Sequence, residues 1–322
     1  MKHVVFNGND NYAPHIATSL VSLLRYNRNL HIHIVANGIT AESEQKIRTL
    51  FIGRSDCVLE FHQINDQQIK TLIKLRTKDQ VDFTFFGPLL LTEILSDKIK
   101  KVVALDADTI VCANIDELFE IEVELVGGVI DTLEKFHRQA VGMTDEDHYI
   151  NTGCLVINLA NWRRDNVLQQ MVDYVIAQKG NVPHLDQQVV NAVLKEKLTV
   201  LPPKWNVLTP MFLFSSKKIT SFYELKHYYS DTELIEAIQQ PRIIHYTPGI
   251  VGRPWMKNCQ HPRTTDYLQA RQKSGFPLVQ AEDDRTKNAR RLEQIYQTFG
   301  EWGYFTTLRV INLLKPERTY SS

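Results

Sequence analysis

Lys101 to Cys112 reads KVVALDADTIVC, and the fold can be worked out from this stretch. An apolar run, Val102 to Leu105, ends abruptly in Asp106-Ala107-Asp108. A short apolar run bounded by charge suits a buried strand. Two carboxylates at the end of such a strand are costly unless a cation or ligand meets them. Hard ions such as Mg²⁺ and Mn²⁺ take carboxylate ligands and often share them with substrate phosphates. Open α/β sheets bind their ligands outside the carboxyl ends of strands, where this acidic pair falls.

On the amino-terminal side, strands and helices alternate. Val4-Val5-Phe6 breaks into the polar turn Asn7-Gly8-Asn9-Asp10-Asn11, and Ile16, Leu20, Leu23 and Leu24 then fall at helical spacing. His31 to Val35 reads as a second strand and Cys57 to His62 as a third. Between them Thr40 is placed to cap a helix with Glu42 and Glu44 in its first turn. On the other side, Val126 to Ile130 and Cys154 to Leu159 are strand candidates, separated by a polar segment, Thr132 to His148, expected as a mobile loop. Pro183 is expected to open a helix carrying Asp186 and Gln187, and Ile243 to Tyr246 is a short strand containing His245. The alternation predicts an α/β fold with a parallel-rich sheet. After Arg263 the pattern becomes polar and helical, dividing the chain into 1–263 and a 264–322 tail.

Composition narrows the class. The chain has 322 residues, 43% of them apolar, enough for a substantial core. Thirty-seven basic residues balance 37 acidic ones, which gives no case for a nucleic-acid partner. Cys57, Cys112, Cys154 and Cys259 form no CxxC pair, so reduced thiols and a cytosolic setting are expected. MKHVVFNGNDNY lacks the apolar core of a signal peptide, and no apolar run approaches the ~20 residues that span a bilayer. A soluble, cytoplasmic protein, at most peripheral on a membrane, is the expectation.

Read from the residues alone, Asp106 and Asp108 are either metal ligands or caps of the following turn. His245 is either a hydrogen-bonded structural histidine or a third ligand of a Mn²⁺ site, since that ion accepts mixed nitrogen and oxygen donors. Gly249, Gly252 and Arg253 follow it and offer backbone N–H groups and a cation to a phosphate. The aspartyl-nucleophile motif of haloacid-dehalogenase-type phosphatases also begins with DxD after a strand. Ile110 lacks the hydroxyl common at that motif's fifth position, and Glu282-Asp283-Asp284 follows no clear strand.

Six segments occur together in order: Phe6 to His15, Val102 to Val111, Tyr149 to Arg164, Leu185 to Leu194, Lys204 to Asn206 and Ile243 to Trp255. With them the chain resembles glycosyltransferase family 8, closest to the bacterial lipooligosaccharide and lipopolysaccharide galactosyl- and glucosyltransferases. The resemblance implies a GT-A fold, a Rossmann-like mixed sheet flanked by helices, and retaining transfer of a hexose from a nucleotide sugar, usually UDP-linked. It implies that Asp106, Asp108 and His245 bind Mn²⁺, with Mg²⁺ as the alternative, and that Asn9, Asn11, Tyr12 and Ala107 lie around the donor. It puts Asp131, Asn151, Asp186 and Gln187 at the transferred sugar, Gln187 being the weak nucleophile or stabiliser on its β-face. It also puts Arg253 where the family commonly has a phosphate-binding lysine, with Gly249 or Gly252 beside the phosphates.

Three departures fall around the donor. Asn9 stands in place of a frequent aspartate, Phe83 to Leu91 lacks the family's usual arginine, and HYTPGIVGRPW is about two residues longer than the usual motif. They bear on donor identity or affinity more than on reaction class. The missing arginine admits a nucleotide-sugar-binding protein with little activity, and the runner-up among enzymes is a transferase acting on a protein or another glycan. The tail from Lys287 to Arg318 mixes basic residues with Trp302, Tyr304 and Phe305. It is either a helix packed on the catalytic domain or a peripheral contact with the inner face of the inner membrane, near a glycolipid acceptor.

Overall fold

The computed structural model describes residues 1–64 and 83–314, apart from the side chains of 83–86 and 312–314. The strands among them are β1 (Lys2–Gly8), β2 (Leu30–Ala36), β3 (Cys57–Gln63), β4 (Lys101–Leu105), β5 (Thr109–Val111), β6 (Val126–Ile130), β7 (Ile150–Asn158), β8 (Leu198–Val200), β9 (Val207–Leu208) and β10 (Ile243–His245). Seven form one sheet in the order β3-β2-β1-β4-β7-β6-β8, and β5-β10-β9 form a second, smaller sheet. β3, β2, β1 and β4 are parallel, while β7 runs antiparallel to both β4 and β6. The central sheet is therefore mixed, as the family resemblance implied, with a parallel half at the amino-terminal side.

The apolar run before the acidic pair is buried on both faces. Val103 and Leu105 enter one core with Phe6, Ile16 and Leu20, and Val102 and Ala104 enter a second core with Val5, Met171 and Val189. Alternate side chains of a strand point to opposite faces, so helices on both sides require an unbroken hydrophobic run. Each fully buried side chain of this kind contributes ~1.5–3 kcal/mol relative to exposure. Trp162 and Trp205 are also buried, and Trp162 Nε1 donates to the Leu125 carbonyl at 2.9 Å.

Local signals held at several boundaries. The Thr40 side chain accepts from Ser43 N and caps the helix Ala41–Thr49. The four cysteines are free. Two expectations change. The segment 132–148 carries a helix, Lys135–Ala140, fastened by the buried Arg138, whose guanidinium donates to the carbonyls of Leu133, Tyr223 and Glu224. The helix expected from Pro183 instead begins at Leu185, which takes a left-handed φ of +52°, and runs to Leu194.

Beyond Arg263, the helix Thr264–Gln272 packs against the helix Ala13–Tyr26, and Tyr267 Oη lies 2.8 Å from His15 Nδ1. The helical run Lys287–Leu314 is broken at Gly300, whose φ of +62° and ψ of −161° a residue with a Cβ rarely adopts. Phe305 is buried, Tyr296 Oη donates to Leu213 O at 2.8 Å, and the Glu301 carboxylate accepts from Ser215 N and Oγ. Phe299 and Trp302 on the same run are exposed. Among the described residues, no helix is long and apolar enough to cross a membrane.

Candidate active site

A cavity of about 510 Å³ opens near the carboxyl ends of β1 and β4 and the amino end of β7. Asp106 and Asp108 flank the turn between β4 and β5, one strand in each sheet. Asp106 N donates to Gly153 O at 3.0 Å, and Tyr246 N donates to Asp108 O at 3.1 Å, so each aspartate is tied to a different sheet. His245 pairs with Thr109 across the antiparallel β5–β10 ladder, which sets its ring beside the acidic turn. His245 Nε2 lies 3.1 Å from Asp108 Oδ1 and 3.7 Å from Asp106 Oδ2. The three ligand atoms lie within 4.8 Å of one another.

The charges of this trio are strongly interdependent. Desolvation in the cleft pushes the Asp106 carboxyl up to about 6, opposed by His245 and reinforced by Asp108. Burial also pushes Asp108 up, but His245, by its charge and hydrogen bond, together with Arg253 and His15, holds it below the usual carboxylate range. Burial pulls His245 down, yet the two aspartates outweigh it and raise the imidazole. Asp186 is held well above the usual carboxylate value by burial and by Asp106. Such a concentration of negative charge favours a cation or an extra proton.

Asn151 orients the imidazole. Its Oδ1 accepts from Asn206 Nδ2 at 2.8 Å and Gly153 N at 2.9 Å, and lies 3.1 Å from His245 Nδ1. An acceptor facing Nδ1 assigns the proton to that nitrogen and turns Nε2 toward the carboxylates. A lone pair aimed at two carboxylates is stable only with a proton or a cation between them. The donor set therefore fits a divalent ion of hard or borderline character.

The sugar-side candidates also converge. Gln187 Nε2 donates to Asp131 Oδ2 at 2.9 Å, and Asn151 Nδ2 donates to the same oxygen at 3.1 Å. Gln187 Oε1 accepts from Asn151 Nδ2 at 3.1 Å and Thr152 N at 3.2 Å. Asp186 joins them in lining the cavity, as do Tyr12, Ala107 and Arg253. The Arg253 guanidinium lies 5.4 Å from the Trp255 ring centre, and His15 sits edge-on to Trp255 at 4.5 Å.

Asn9, Asn11, Gly249 and Gly252 are not among the lining residues. Asn9 Oδ1 accepts from Asn11 N within the turn leading to Tyr12, a Cβ on Gly249 would meet Thr209, and one on Gly252 would meet Arg285. Asp283, from the acidic run weighed for a phosphatase, pairs with Arg285 at 2.8 Å outside the cavity. Sequence reading had not singled out His15, Asn206 or Trp255 as site residues, although all three lie inside the ordered motifs. His184 and Tyr223 also line the cavity and carried no sequence signal.

Residues 3–259 match the sequence model described as Glycosyl transferase family 8. The chain belongs to glycosyltransferase family 8. This family-8 glycosyltransferase is 24% identical over 277 residues to general stress protein A of Bacillus subtilis (strain 168), covering 83% of this chain and 91% of that one. It is 24% identical over 285 residues to the lipopolysaccharide 1,3-galactosyltransferase of Salmonella typhimurium, covering 84% and 78% respectively. In structure it is similar to the galactosyltransferase LgtC, solved with donor and acceptor sugar analogues, with a TM-score of 0.67 and 19% identity. That match covers 90% of this chain and 99% of LgtC. The fold is GT-A, the mixed sheet flanked by helices.

Proposed function

We propose that this family-8 enzyme transfers a hexose, galactose or glucose, from its UDP-sugar to a bacterial lipooligosaccharide or lipopolysaccharide acceptor. Transfer retains the anomeric configuration and depends on a divalent metal, Mn²⁺ in preference to Mg²⁺. The observation carrying this reading is the convergence of Asp106 Oδ2, Asp108 Oδ1 and His245 Nε2 on the wall of one cavity. These three residues would hold the ion, which supplies positive charge to the leaving diphosphate when bound. Arg253 adds a fixed cation to the same side of the cleft, with fork-like donors suited to phosphate.

Asp131, Asn151, Asp186 and Gln187 orient the hexose. Both lone-pair directions of the Gln187 amide oxygen are taken by Asn151 and Thr152, which disfavours it as a nucleophile. That supports attack from the face of the departing phosphate, with Gln187 stabilising charge at the sugar. Tyr12 and Ala107 line the donor side. Asn9 and Asn11 in the adjoining turn, with Gly249 and Gly252 in the loop after β10, complete its rim in this reading. Residues 1–263 act as the catalytic unit, and the helical tail from 264 faces the acceptor, with exposed Phe299 and Trp302 contacting the inner face of the inner membrane from the cytoplasm. The similarity to lipopolysaccharide glycosyltransferases supports the acceptor class.

A panel of UDP-sugars tests the reading. One donor should be hydrolysed slowly with manganese and transferred in the presence of lipooligosaccharide, and Asp108→Ala should abolish both. No turnover of any donor with either ion would overturn it.

A further inference from the structure

His3 on β1, His31 and His33 on β2, and Glu60 and His62 on β3 form a second cluster of metal-ligating side chains. Strand register brings them together: His3 pairs with His31, and His33 with Glu60, while His31/His33 and Glu60/His62 are two-residue repeats on one sheet face. The cluster lies away from the cleft. None of the five lines the cavity; register sets Asn7, a lining residue, beside Val35 and Val35 beside His62, so His62 lies two strand spacings, about 10 Å, from Asn7.

Three atoms of the cluster form an isosceles triangle. His33 Nδ1 is 2.9 Å from His62 Nε2, and Glu60 Oε2 is 3.7 Å from each of them. The circle through corners with these sides has a radius of about 2.0 Å, which is the bond length of Zn²⁺ to imidazole and carboxylate. The remaining members sit where supporting partners of such a site belong. His33 Nε2 is 2.9 Å from His3 Nδ1, and His31 Nε2 is 3.1 Å from the ligating Glu60 oxygen. His33 is buried, so its ring is held in place by the sheet around it. Glu60 is 51% exposed, so a fourth position opens to water.

We propose that His33, Glu60 and His62 bind a borderline divalent transition ion, with Zn²⁺ the best match, supported by His3 and His31. Two imidazoles and one carboxylate favour zinc, nickel or copper over magnesium, unlike the oxygen-rich cleft. The ion would join β2 to β3, the edge strand of the sheet. This site stands independently of the transferase reading.

The test uses the full chain, stripped with chelator and dialysed, with Asp108→Ala as the background that removes the cleft site. That variant should bind one equivalent of Zn²⁺ by calorimetry, and adding His62→Ala or Glu60→Gln should remove it. His3→Ala should weaken it by about 10- to 100-fold, the usual effect of losing a supporting partner. Co²⁺ should give Asp108→Ala the intense visible absorption of a low-coordinate nitrogen-ligated ion. Circular dichroism checks each variant, and Glu60→Gln, altering a half-exposed side chain, serves if His62→Ala misfolds. No Zn²⁺ uptake and no cobalt absorption in Asp108→Ala would overturn the proposal, as would uptake unchanged by both His62→Ala and Glu60→Gln.

Discussion

Gly153→Ala reaches the proposed metal ligands without replacing any of them. A Cβ at Gly153 would stand 2.1 Å from His245 Nδ1, 2.2 Å from its Cε1 and 3.0 Å from Asn151 Oδ1, against an ordinary contact of 3.4–4 Å. The ring must therefore retreat by more than about 1 Å, or β7 must bend, a distortion that ordinarily costs ~1–3 kcal/mol. His245 has little room to move. It is buried, it faces Asn151 through Nδ1, and its strand is held between β5 and β9. A misplacement of ~1 Å at a reacting centre costs on the order of 100-fold in rate. Manganese-dependent UDP binding by calorimetry and UDP-sugar turnover should both fall by about that factor, with a modest drop in Tm. Turnover and manganese affinity within about threefold of the parent protein, at an unchanged Tm, would refute the claim that His245 is locked in place.

Asn206→Ala removes the donor at 2.8 Å that pins Asn151 Oδ1. It should weaken Mn²⁺ binding by about 10- to 100-fold while circular dichroism stays unchanged. Arg285→Ala strips the partner from two carboxylates, Asp283 at 2.8 Å and Glu293 at 3.1 Å. Urea titration should show a stability loss of about 3 kcal/mol, and because the guanidinium also donates to Ile250 O in the loop that leads to Arg253, donor binding should weaken with it. Burial, ahead of neighbouring charges, pulls His33 to about 3 and His15 and His261 to about 4, against an ordinary 6.5. The folded rings refuse a proton that the unfolded chain accepts below pH 6.5. Stability should thus be full above that pH and fall toward pH 4, by ~1.4 kcal/mol per pH unit for each ring. Urea midpoints measured in chelator at pH 7 and pH 5 check the sign, and equal midpoints would contradict it.

Much of the frame could be read from local pattern. Val102 to Leu105 had to be a two-sided strand because it is apolar without alternation, and Thr40 had to cap because a hydroxyl stood before an acidic first turn. The acidic pair was a site candidate from its cost alone. Other features depend on contacts between residues far apart in the chain. Nothing near Asn151 in the sequence says that its oxygen will meet Asn206 and His245. Arg138 sits in a polar stretch that reads as a loop, and only the carbonyls of Tyr223 and Glu224 explain why it is buried. The histidines of β1 to β3 alternate with apolar residues as in any half-exposed strand. Their meeting depends on register across three strands, which no single segment encodes.

The three-residue strand β10 has a consequence for chain length. Its pairing runs Ile243 to Val111, Ile244 to Ile110 and His245 to Thr109. Slipping by one position would turn the imidazole to the opposite face of the small sheet and bring a neighbour in its place. The proposed ligand set is therefore written partly as a count of residues. One residue inserted between Arg242 and His245 would erase the site with every ligand still present in the sequence. The long excursion from Val111 to Ile243 carries no such constraint as a whole, because its ends are fixed by pairing and not by its length. Insertions should be tolerated in its loops away from the cavity and lethal to activity in those three residues.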